Sequence, residues 1–104
     1  MLFRSTRYDE LMARHPEAFV DHAAAFWLAA GSDPHKGLRL AEQNLAIRQT
    51  PRAYELMLQA ALATRDTARA CRAADHTRIV GPMGPHLRTL VSLAFAVCGQ
   101  SPVP

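Results

Sequence analysis

A chain of 104 residues with a formal net charge of +3, 49% hydrophobic and 20% charged, suits one small soluble domain with a modest core. Its longest uninterrupted apolar run, residues 23–30, is far too short to cross a bilayer, which excludes a transmembrane helix and argues against a membrane partner. Alanine dominates the apolar set while Val and Ile are scarce, so the composition points to an all-α fold.

Nearly all the positive charge is arginine, with Lys36 the only lysine. The charge is small and mixed along the chain. It reads as the solvated surface of a GC-rich coding sequence and argues against nucleic acid as a partner.

In chain order, residues 6–14 make a short first helix. Thr6 and Asp9 stand at capping-box spacing, and Tyr8, Leu11 and Met12 share one face. His15-Pro16 ends it, because the residue before proline leaves the α region. The second helix covers 17–30 behind Pro16. Val20, Ala23, Ala24 and Trp27 form its stripe, Phe19 and Phe26 an adjoining one, and Gly31 its left-handed cap.

Asp33-Pro34 opens the third helix as cap plus first-turn proline, running to about Arg48. Leu38, Ala41 and Leu45 form the buried stripe, flanked by Leu40 and Ile47. Gly37 sits in its first turns at a cost of about 1 kcal/mol against alanine, which points to a close crossing with the preceding helix. Thr50-Pro51 repeats the device and opens the fourth helix, where Tyr54, Met57, Leu58, Ala61 and Leu62 match helical spacing.

After Arg65-Asp66, with Asp66 as cap, the fifth helix runs from Thr67 to about Val80. Its inner stripe of Ala70, Ala73, Ala74 and Thr77 is small, so its partner must approach closely. Residues 81–85, GPMGP, break the chain. The sixth helix spans 86–98, with Leu87, Leu90, Val91, Ala94, Phe95 and Cys98 on its apolar face and Gly99 at its end. No segment alternates apolar and polar residues over strand length, so no strand is expected.

Cys71 and Cys98 lie far apart in sequence, each on an apolar helical stripe. They read as buried small hydrophobes rather than a disulfide. With no signal peptide in view, a reducing cytoplasm is the expected compartment. Leu2 to Ser5 also matches what the end of a sequencing adaptor encodes, which points to a fragment of a longer protein.

The five histidines, His15, His22, His35, His76 and His86, are scattered without ligand spacing, and no nucleophile elbow or phosphate loop is present. No catalytic residue, metal site or cofactor is therefore expected, and the chain reads as a non-enzyme. Arg65, Arg69 and Arg72 fall at i, i+4 and i+7, a basic stripe loosely extended by Arg78, and read as a solvated outer face.

The helix-opening prolines recur: Pro16 and Pro51 are 35 residues apart, Pro51 and Pro85 are 34. A helix pair at this period resembles the tetratricopeptide repeat. Residues 51–82 carry the resemblance best. Tyr54 and Ala61 stand at the first-helix aromatic positions and Met57 at the Leu-like one. Ala70, Ala74 and Thr77 take second-helix positions, and Pro82 closes the unit. Leu58 stands where the family has a small residue. In the unit before, Trp27 and Gly37 fit the second aromatic and the closely packed alanine.

The resemblance implies antiparallel helical hairpins stacked as a short right-handed α-solenoid of about six helices over 1–104. The units are a half repeat at 6–15, repeats at 16–50 and 51–84, and a half repeat at 85–99. It implies a concave groove lined by first helices, with Asp21, Arg52, Glu55, Gln59, His86 and Thr89 as partner-binding residues beside Ala25, Leu28, Leu62 and Leu93. It implies a scaffolding module for a protein or peptide partner, an extended peptide or a helix in the groove. The groove set lacks the basic clamp by which some family members hold a C-terminal carboxylate. An apolar sixth helix with no following partner points to a cut array, a self-associating end or a helix packed back on the bundle.

Overall fold

The computed structural model describes residues 9, 10, 13, 14, 16–79 and 83–99. The described chain is all-helical, with no strand among these residues. Five α-helices are described rather than about six: α1 (Pro16–Leu28), α2 (Pro34–Ile47), α3 (Pro51–Ala63), α4 (Thr67–His76) and α5 (Pro85–Gly99). Of the helix expected over 6–14, Asp9, Glu10, Ala13 and Arg14 have helical backbone; its other residues, and His15, lie outside the described residues.

The capping residues do what their chemistry suggests. The side chains of Asp33, Thr50 and Asp66 accept hydrogen bonds from the backbone N–H of Lys36, Ala53 and Arg69 at 3.1, 3.1 and 3.0 Å. Each satisfies one donor that the first helical turn leaves unpaired. Prolines open α1, α3 and α5, so the three helices begin at the recurring positions 16, 51 and 85.

Helix ends depart from expectation in two places. The left-handed residue after α1 is Ser32, φ 51°, and not Gly31. Gly31 answers a packing need instead: a Cβ there would meet the Trp27 ring at 2.5 Å. After α3 the left-handed residue is Arg65, φ 59°. The N–H of Asp66 bonds the Ala61 carbonyl at 2.8 Å and that of Arg65 bonds Leu62 at 3.2 Å, the paired closure that often carries glycine. The second departure is in α4, which stops at His76 and tightens into a 3₁₀ turn, Thr77–Ile79. Buried Thr77 donates its hydroxyl to the Ala74 carbonyl at 2.6 Å, drawing the last turn in.

Consecutive helices pack in sequence, α1 on α2, α2 on α3, α3 on α4 and α4 on α5, and α3 also touches α1 and α5. Helix α3 is thus the centre. Beyond the expected Tyr54, Met57, Leu58 and Ala61, it buries Ala53, Leu56 and Ala60. A helix apolar on nearly every side is one surrounded by others. Gly37 is buried where α2 crosses α1; a Cβ there would fall 2.8 Å from the Leu28 side chain. The small residues Ala70, Ala73 and Ala74 of α4 are all buried, as close approach requires.

Two stripes are corrected. On α2 the fourth buried position is Asn44, 1% exposed, while Leu45 is half-buried. On α5, Leu87, Leu90, Val91 and Ala94 are buried, but Phe95 is 42% exposed. At about 100° per residue, Phe95 leaves the helix on the flank of that stripe.

The cysteines are neither free nor fully buried. Cys71 of α4 and Cys98 of α5 form a disulfide, with Cα atoms 5.8 Å apart and both residues half-exposed. Their separation of 27 residues hid this. The early turns of α4 meet the late turns of α5 because the chain reverses between them. Disulfides persist in oxidising surroundings; the expectation of a reducing cytoplasm rested on the absence of a visible signal peptide, and the bond between Cys71 and Cys98 does not add to it. No helix among the described residues is long and apolar enough to cross a membrane.

Candidate functional site

Three of the expected groove residues meet. Arg52 and Glu55 are one turn apart on α3, and Arg52 donates a hydrogen bond to Glu55 Oε1 at 3.3 Å. The same oxygen lies 3.6 Å from Nδ1 of His86, at the start of α5. One half-buried carboxylate therefore ties two helices together and faces two basic groups. Gln59 follows one turn later on α3 and is half-buried. On α5 the same flank continues to Leu93, which is 52% exposed.

The other two groove residues have local contacts. Asp21 accepts a hydrogen bond from the backbone N–H of His22 at 2.9 Å. Thr89 is exposed and donates its hydroxyl to the carbonyl of Pro85 in its own helix at 3.0 Å. The side chains gathered here are of mixed character, with Leu93 the exposed apolar one. They can hold a polar backbone or a charged side chain; acid–base chemistry would need convergent groups in an enclosed site.

The basic stripe is split by its partners. Arg69 donates to Asp66 Oδ2 at 2.6 Å and pairs through Nε with Glu42 of α2 at 3.1 Å. Both carboxylates hold its guanidinium above the ordinary arginine range, Asp66 first. Asp66 in turn is held below its usual 3.8, first by the backbone N–H of Arg69, then by the Arg69 side chain. Arg65 occupies the turn and is exposed. Arg72 is exposed, with no hydrogen bond or ion pair among the described residues, and Arg78 pairs with Asp75 at 3.5 Å.

A feature that the sequence pattern missed lies between α2 and α4. Arg69, Arg72, Ala73 and His76 fall at i, i+3, i+4 and i+7, one face of α4. With Leu45 of α2 and Met57 of α3 they line a cleft of about 320 Å³. The signal was available: His76 continues the face of Arg69 and Arg72, whereas Arg65 lies in the turn before the helix. A second cleft of about 240 Å³ lies by the turn at Arg65, floored by Ala61, Ala70 and Val97.

Among the described residues, no group of three or more His, Cys, Asp or Glu side chains is placed to hold a metal ion. No protein-family model matches the chain, and neither a curated protein nor a solved structure matches it.

Proposed function

We propose that this chain is a tetratricopeptide-like stack of helical hairpins, a short right-handed α-solenoid acting as a non-enzymatic protein-interaction or scaffolding module. The observation that carries the reading is the α3 neighbourhood. Each first helix of a pair touches the first helix of the next, α1 with α3 and α3 with α5. Such contacts give a repeat array its continuous inner face. The link from Glu55 to His86 joins two helices of that face. A peptide or helix laid along it would meet Arg52, Glu55, Gln59 and His86, with Leu93 as an apolar anchor. Nucleic acid fits less well, since Arg69 is already engaged by two carboxylates.

The test is a comparison of recovered partners. Wild-type protein and an Arg52→Ala/Gln59→Ala variant are used as baits, with helicity checked by circular dichroism. The reading expects a partner captured by the wild type to be lost with the folded variant. Equal recovery rejects the groove. Exposed Leu93 and Phe95 support self-association through α5; sedimentation of wild type against Leu93→Glu/Phe95→Glu checks it, and two monomers at high concentration would reject it.

A further inference from the structure

The cleft between α2 and α4 is a second surface, on the other side of α3 from the groove. Glu55 and Met57 are two residues apart on that helix, so their side chains leave it roughly 200° apart. Glu55 faces His86, and Met57 floors the cleft. Whatever binds one surface leaves the other open.

The floor is apolar, made by Leu45, Met57 and Ala73, and the rim is cationic. Its one acid, Glu42, is held by Arg69, which also holds Asp66. Arg72 and His76 remain, exposed and without a hydrogen bond or ion pair among the described residues. A surface arginine that makes no direct hydrogen bond or ion pair among the described residues and acts on Asp66 only through space, beside half-buried Leu45 over buried Met57 and Ala73, is complementary to a ligand carrying both groups. Arginine suits this role because its planar fork takes a carboxylate through two hydrogen bonds. At about 320 Å³ the cleft takes one or two side chains.

We propose that this cleft docks an acidic–apolar segment of a partner protein. A leucine-like side chain sits on the Leu45–Met57–Ala73 floor and a carboxylate one turn away pairs with Arg72, with His76 beside it. The interaction is independent of the groove on the other side of α3.

The experiment titrates the isotope-labelled full chain with a blocked peptide, Glu-Leu-Ala-Leu-Glu, and with its lysine counterpart, Lys-Leu-Ala-Leu-Lys, reading amide shifts. The acidic peptide is expected to move the amides around Leu45, Arg72 and Ala73 saturably, binding about ten-fold tighter than the lysine peptide. Arg72→Glu, at an exposed position that leaves the core intact, is expected to abolish that preference, and Leu45→Ala to weaken both peptides. Equal binding of the two peptides, shifts confined to Gln59 and Leu93, or no shifts at millimolar peptide would each overturn the proposal. So would two rival occupants: decanoate producing the same shifts more tightly than the peptide, or cleft shifts driven by protein concentration alone, which would make the occupant a second copy. Because Gln59 and Leu93 report the groove separately, a failed groove and a failed cleft are distinguishable.

Discussion

Removing the Cys71–Cys98 bond is the sharpest test of how the last two helices are held. The perturbation is Cys71→Ser/Cys98→Ser, or reduction of the wild type by a phosphine. The bond closes a loop of 27 residues. Loop closure of that length removes enough entropy from the unfolded chain to contribute about 3.5 kcal/mol. For a domain of this size that corresponds to a drop in Tm of roughly 15–25 °C. Helix α5 keeps Leu87, Leu90, Val91 and Ala94 in the core without the bond, so the helical spectrum at low temperature should be nearly unchanged. The loss should show in urea unfolding, and amide exchange should quicken first in the turns around Cys98. Intact mass under non-reducing conditions checks the premise, since the bonded chain lacks two hydrogens. Two thiols that alkylate in the native wild type, with Tm unaffected by reductant, would refute the reasoning and restore the free cysteines that the sequence pattern suggested.

Three further outcomes follow from single residues. Arg65→Gly should stabilise the fold by about 1 kcal/mol in urea unfolding, because glycine enters the left-handed region without the steric cost arginine bears at φ 59°; a destabilised variant would contradict that turn. Asn44→Leu should stabilise by about 1–2 kcal/mol, since the amide is buried with no hydrogen-bond partner on either polar atom among the described residues; a loss of stability would mean the amide is satisfied. Asp66→Ala should cost about 1 kcal/mol near neutral pH through the lost cap. The carboxyl of Asp66 is held below 3.8 in the folded state, so its contribution is full above that value and fades as pH falls through the lowered one. Wild type and variant should therefore converge in acid, and parallel curves down to the lowest pH would count against the pairing.

Much of the fold was legible because its signals are local. A cap side chain three residues before the N–H it serves, or a proline at the first helical position, needs no tertiary information, and Asp33, Thr50 and Asp66 all cap as expected. Helical periodicity also found Val20, Ala23 and Ala24. It was less informative for α3, where a one-sided template cannot represent a helix covered on several sides, so Leu56 went unnoticed. Gly31 misled for a related reason. Glycine after a helix signals a left-handed cap, but here the ring of Trp27 excludes a side chain, and Ser32 turns the chain. Local rules name the residue that is able to make a turn, whereas packing decides which one does.

The sites were less legible because they depend on distances between helices. Cys71 and Cys98 looked unrelated at 27 residues apart, and only the antiparallel course of α4 and α5 brings them together. The basic stripe shows the same limit more sharply. Arg65, Arg69 and Arg72 have helical spacing, yet Arg65 belongs to the turn, Arg69 is shared by Asp66 and Glu42, and of the two on the helix only Arg72 keeps a charge without a direct partner among the described residues. Counting charges along one helix overestimates its field, because the neutralising carboxylate of Glu42 comes from a neighbouring helix. What survives is a single arginine at the edge of an apolar cleft, joined by a histidine one turn later. That is a weak footprint for a polyanion, whose affinity grows with each phosphate neutralised. It is a better one for a short acidic segment, where one placed carboxylate and one buried side chain decide recognition.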